Sequence, residues 1–172
     1  AQVMVHVVNV RFVQGLKYAY VQGLQEDLVA TLKPFGVDFR LLSDADLLAR
    51  DLKEFDAIVI GPNAYIVRDQ LRQNNRRFLD YVKEGGTLIV QYQGYGYENE
   101  TFTPYPFKFN HPHDRVTYED APVTILRPDF MFFRLPNLIS EADFEGWVRD
   151  RGLYFFGEWD KRYQTFLASS DP

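Results

Sequence analysis

The chain has 172 residues and contains no cysteine, which removes thiol nucleophiles, thiolate metal sites and redox switches together while leaving its compartment open. A formal charge of -5 and a pI near 5.2 argue against a surface that tracks nucleic-acid phosphates, and no nucleic-acid partner is expected. No apolar run approaches the roughly 20 residues that cross a bilayer, so no membrane span is expected either.

Val3 to Val10 is rich in valine and reads as a strand, with His6 as a structural histidine inside it. Lys17 to Val21 reads as a second strand, and Gly23 turns the chain into a helix with Leu24, Leu28, Leu32 and Phe35 on one face. Pro34 and Gly36 should stop that helix, because proline lacks a backbone donor and glycine suits a left-handed cap. Val37 to Leu42 follows as a strand, and Ser43 caps a short helix with Asp46 three residues on. Phe55 to Ile60 is a β-branched run ending at Gly61-Pro62. Leu71, Phe78, Leu79 and Val82 mark the next helix, closed by Gly85-Gly86 before the strand Thr87 to Tyr92. Arg68, Arg72, Arg76 and Arg77 have helical spacing and read as a solvated face.

Alternating strands and helices of this kind imply an α/β fold, a doubly wound, flavodoxin-like and mostly parallel sheet with helices on both faces. From Gln93 to Pro122 the periodicity is lost among Gly, Pro and many rings, which gives a long aromatic loop region packed on itself. Val123 to Leu126 resumes a strand. Ser140 caps a last helix, with Phe144, Trp147 and Val148 turned inward and Gly152 at its end, and the tail from Leu153 reads as irregular.

Ligands of open α/β sheets sit beyond the C-terminal ends of the strands, so the loops after Ile60 and Tyr92 are the places to look. Asn63, Tyr65, Gln93, Tyr95, Arg115, Trp147 and Arg151 are the candidate binding residues, an aromatic lining for a glycan or a neighbouring domain. No catalytic residue is assigned, because neither nucleophile nor base sits at a tight strand-to-helix turn. His111, His113 and Asp114 supply ligand types that suit a divalent ion, but in a Pro-rich loop they read as surface turn residues, and no metal is expected. Glu145, Glu158 and Asp160 near Trp147 and Trp159 resemble the ingredients of glycoside hydrolysis, although nearby Arg149, Arg151 and Arg162 favour ion pairing. The Gly-containing turns lack both the GxGxxG pattern and the P-loop lysine, so no cofactor is expected.

Phe55-Asp56-Ala57-Ile58-Val59-Ile60-Gly61 and Tyr81-Val82-Lys83-Glu84-Gly85-Gly86-Thr87-Leu88-Ile89-Val90-Gln91-Tyr92 resemble class I glutamine amidotransferase-like domains. Tyr105-Pro106-Phe107-Lys108, Asp114-Arg115-Val116-Thr117, Ala121-Pro122-Val123-Thr124-Ile125-Leu126, Asp143-Phe144-Glu145-Gly146-Trp147-Val148, Arg151-Gly152-Leu153-Tyr154-Phe155 and Glu158-Trp159-Asp160 narrow the resemblance. They are similar to the module found C-terminally in bacterial PIG-L/LmbE-type deacetylase proteins. The resemblance implies a domain over residues 17–172 that continues past this C-terminus, with residues 1–16 as a lead-in strand from a preceding domain. It also implies that the zinc chemistry belongs to another domain of the parent chain, whose HPDD-type motif His111-Pro112-His113-Asp114 only mimics. The family's nucleophilic cysteine is replaced here by the run Gln91-Tyr92-Gln93-Gly94, so no glutaminase activity is expected. The reading is a non-catalytic accessory module that binds glycan or other domains of its parent chain. Its rivals are a sugar hydrolase using a metal or carboxylate pair through His111, His113, Asp114 or Glu158, and a structural dimerisation domain forming a homo-oligomer.

Overall fold

The computed structural model describes residues 10–24, 28–99, 101–146 and 152–171. Trp147, Arg151, His6 and the Val3 to Val10 strand, Val10 excepted, lie outside them. Four strands, β1 (Tyr18–Val21), β2 (Phe39–Leu41), β3 (Ala57–Ile60) and β4 (Thr87–Val90), form one parallel sheet in the order β2-β1-β3-β4. This is an α/β architecture compatible with a flavodoxin-like layout, in which the order reverses between β1 and β3.

Register follows side-chain alternation. Ala19 lies beside Ile58 and Val21 beside Ile60, and these in turn neighbour Leu88 and Val90. That face packs against α2 (Asp44–Ala49), α4 (Asp69–Gln73) and α5 (Asn75–Lys83) through Leu47, Leu71, Phe78 and Tyr81, all buried. The opposite face holds Tyr20 and Val59 buried at its centre, whereas Leu41 and Ile89 on the two outer strands are half exposed. The helix expected to cover this face is short. α1 (Leu28–Leu32) contains no buried residue and runs into a 3-10 turn, leaving Leu24 and Phe35 largely exposed. Gly36 does end it in the left-handed conformation, φ 77°.

The capping box at Ser43 forms as expected: the Asp46 amide donates to Ser43 Oγ at 3.2 Å and the Ser43 amide to the Asp46 carboxylate at 2.8 Å. The single helix expected around Leu71 is instead three, α3 (Ala64–Val67), α4 and α5, with breaks at Arg68 and Asn74. Leu79 and Val82 stay half-buried; Tyr81 takes the core position, donating from its hydroxyl to Phe55 O at 3.0 Å. Its ring lies so close to Gly86 that a Cβ there would meet it at 2.2 Å, so glycine is required by packing.

The arginine run is not a solvated face. Arg77 donates to the carbonyls of Leu47 and Arg50 at the C-terminal end of α2, and Arg72 to those of Tyr65 and Ile66 in α3, the latter pair at 2.6 and 2.8 Å. Arg68 binds Asp44 at 2.6 Å and reaches Leu42 O. Only Arg76, on Asp80, matches the solvated reading. Cations at helix C-termini satisfy carbonyls that have no partner within the helix.

The second half is more ordered than its sequence suggests. β5 (Phe107–Phe109) pairs antiparallel with β7 (Phe156–Trp159), and β6 (Val123–Ile125) with β8 (Leu167–Ser169), so the tail expected to be irregular supplies two strands. Long-range pairing between short strands leaves no local periodicity to read. Ser140 caps only a 3-10 turn, Glu141–Phe144, in place of the expected helix, whose Trp147 and Val148 are outside the described residues.

Candidate binding cleft

The topological switch point is closed by backbone. Gly61 N donates to Val21 O at 2.9 Å and Leu24 N to Pro62 O at 2.8 Å, and a Cβ on Gly23 would lie 2.0 Å from Pro62 O. The crevice between the β1 and β3 loops, where this architecture usually admits a ligand, is therefore filled by the chain itself.

The expected lining residues of the strand ends mostly hold loops together. Asn63 adopts φ 54°, a region asparagine tolerates, and its Oδ1 accepts from Gly94 N at 3.1 Å while its own amide donates to Tyr92 O at 2.8 Å. Gln93 is buried, with Nε2 donating to Gly61 O at 2.8 Å and Gln91 O at 2.9 Å and Oε1 accepting from Tyr65 N at 3.3 Å. Both of its side-chain N–H groups are donated. Tyr65 is buried between Tyr97 and Phe102, ring centroids 4.9 and 5.0 Å away, and its hydroxyl donates to Asn75 Oδ1 at 2.6 Å. Burial pushes its phenol well above the usual tyrosine range. These three residues are structural, although Tyr65 and Gln93 also border a 270 Å³ cavity with Tyr95 and Arg72.

Tyr95 belongs to a different cluster. His111 stacks on it at 4.4 Å and 13°, and its hydroxyl lies 3.1 Å from His113 Nδ1. His113 in turn stacks on Tyr154 at 4.3 Å. Asp114 points elsewhere and accepts from Asn110 Nδ2 at 2.7 Å, while His111 Nε2 faces Glu98 at 3.8 Å. The two imidazoles are thus held by tyrosine rings, and among the described residues no three His, Asp or Glu side chains converge as a metal site.

Tyr154, which sequence reasoning did not single out, ties this cluster to a second, roomier cleft. It has φ 57°, a conformation that costs a bulky residue about 1–3 kcal/mol. Contacts with Tyr92, Tyr95, Phe109 and His113 hold its ring, and its amide donates to Asp114 O at 3.0 Å. On the other side of this segment opens a cleft of about 660 Å³, walled by Tyr154, Phe156, Trp159, Leu126 and Leu167, with Arg115, Asp114, Ser169, Ser170 and Asp171 among its polar groups.

Two side chains of this cleft have unused binding capacity. Trp159 is 45% exposed, and among the described residues its indole makes neither a ring contact nor a side-chain hydrogen bond. Its neighbours differ, since Phe156 stacks on Phe107 at 3.9 Å. Arg115, an expected lining residue, makes no hydrogen bond or ion pair through its guanidinium among the described residues. Asp171, missed in the sequence, accepts from Thr117 Oγ1 at 2.6 Å and from the amides of Thr117 and Tyr118 at 2.7 and 2.8 Å. Those donors, the Thr117 hydroxyl first, and the nearby Arg115 charge hold its carboxyl below the usual range.

The carboxylates near Trp159 are paired. Glu158 meets Lys108 at 3.2 Å across the β5–β7 ribbon, and Asp160 accepts from Arg162 at 2.8 Å, which brings its pKa down to about 2. Glu158 pairs with a lysine across the strand and not with an arginine nearby in sequence, a cross-strand contact that sequence proximity cannot reveal. Against protein-family models, curated proteins and solved structures, the chain shows no match.

Proposed function

We propose that this chain is a non-catalytic carbohydrate-binding module whose site is the Trp159 cleft, and that it serves as an accessory domain beside a sugar-active catalytic domain of the same parent protein. The observation that carries the reading is Trp159: a half-exposed indole without a ring or side-chain hydrogen-bond partner among the described residues, facing a 660 Å³ concavity. Sugar rings present flat C–H faces that pack on aromatic planes, while their hydroxyls need polar groups at the rim. Arg115 supplies donors there. Asp114, Asp171 and Ser169 supply acceptors with lone pairs to spare, because a carboxylate has about four acceptor positions. The amidotransferase-like resemblance supports the accessory role, since the turn where that family places its nucleophile here reads Gln91-Tyr92-Gln93-Gly94, and Gln93 in it is engaged by backbone contacts.

Isothermal titration with soluble glycans tests the proposal. Wild-type protein is expected to bind, and Trp159→Ala to lose at least about tenfold in affinity, about 1.4 kcal/mol. Its melting temperature should stay near wild type, because the indole contributes little packing. Equal glycan affinity in wild type and Trp159→Ala would refute the assignment.

A further inference from the structure

A second cavity shares Trp159. It measures about 380 Å³ and is lined by Glu98, Phe107, Lys108, Glu158, Trp159 and Asp160. Trp159 thus lies on the boundary between this cavity and the larger cleft, in the terminal position of β7 opposite Phe107. A ligand confined to one concavity would use one side of that boundary. A ligand that crosses it would use both.

We infer that the module binds an extended, β-linked oligosaccharide in two subsites that meet at Trp159, and that the second subsite rejects uronic acids. This rests on the carbohydrate reading above and adds chain length and charge to it. An equatorially linked chain is a flat ribbon with apolar faces, a shape that can lie across an exposed indole and continue into both hollows. The charge of the second subsite sets the selectivity: its lining carries three carboxylates, Glu98, Glu158 and Asp160, and one basic side chain, Lys108, with His111 3.8 Å from Glu98. Asp160 is already engaged by Arg162, but Glu158 and Lys108 form an exposed pair at 3.2 Å, 73% accessible on each side. Exposed pairs of this kind contribute little stability, so sugar hydroxyls can replace their mutual contact at low cost. A carboxylate on the ligand would meet the acidic wall and be repelled.

The test is titration calorimetry of the full chain with cello-oligosaccharides and chito-oligosaccharides, disaccharide against hexasaccharide, and with oligogalacturonate of equal length. The hexasaccharide is expected to bind at least about tenfold more tightly than the disaccharide, because the second contact is made within one complex. Glu158→Ala should erase that gain while leaving the melting temperature unchanged, because the Glu158 side chain is 73% exposed. Oligogalacturonate should bind more weakly than the neutral hexasaccharide. Equal affinity for short and long neutral ligands, or preference for the uronate, overturns the two-subsite inference and leaves the carbohydrate reading standing. No binding of any of the three overturns both.

Discussion

Gln93 lies just beyond β4, and its side-chain amide makes three hydrogen bonds to backbone groups around it, so its replacement separates a structural from a functional role. In Gln93→Leu the carbonyls of Gly61 and Gln91 lose their donors, at 2.8 and 2.9 Å, and the Tyr65 amide loses its acceptor at 3.3 Å. Each lost hydrogen bond costs about 1 kcal/mol net, and the added apolar contact of leucine offsets on the order of 1 kcal/mol, leaving a destabilisation of about 2 kcal/mol. For a domain of this size that lowers the melting temperature by about 4–8 °C, readable by calorimetry or circular dichroism. Glycan affinity of the folded variant should be unchanged. An unaltered melting temperature with lost binding would show that Gln93 faces the ligand and that the cleft assignment is misplaced.

Gly86→Ala should destabilise by driving a methyl group into the Tyr81 ring, and Gly23→Ala by more, since the obstacle there is the Pro62 carbonyl and not a side chain; chemical denaturation orders the two. Asp160, with its carboxyl near 2 against an ordinary 3.8, stabilises the fold at neutral pH, and that contribution is lost as pH falls from about 3.8 through about 2. Acid titration of Asp160→Asn should therefore show a shallower loss of stability in that window, and an identical acid limb would refute the pairing with Arg162. Purified protein incubated with glutamine should release no ammonia, as the chain has no thiol; steady release would return the amidotransferase activity to consideration.

The parallel sheet was legible in the sequence because its strands are continuous β-branched runs bounded by Gly and Pro: Phe55 to Ile60 contains β3 and Thr87 to Tyr92 contains β4. The Ser43 box and the Gly36 stop were legible for the same reason, each being local chemistry within four residues. What could not be read is set by long-range contacts. The pairing of Phe107–Phe109 with Phe156–Trp159 joins residues about 50 positions apart, and the arginines at helix ends look identical in sequence to a solvated stripe. Of the expected site, Arg115 reaches the large cleft, whereas Asn63, Tyr65 and Gln93 brace the loops beside it and Tyr95 joins the histidine cluster. The pairing of Asp160 with Arg162 was legible from their spacing, whereas the partner of Glu158, Lys108 on the facing strand, shows only in the fold.

The central claim is that Trp159 contacts a sugar ligand, and its own fluorescence reports that directly. The chain has two tryptophans, so a Trp147→Phe protein leaves Trp159 as the sole indole. Titration with cellohexaose or chitohexaose should shift its emission to the blue, saturating with the affinity measured by calorimetry, as the half-exposed ring is shielded from water. Calorimetric binding with no change in the emission of Trp159 would place the ligand elsewhere and contradict the account.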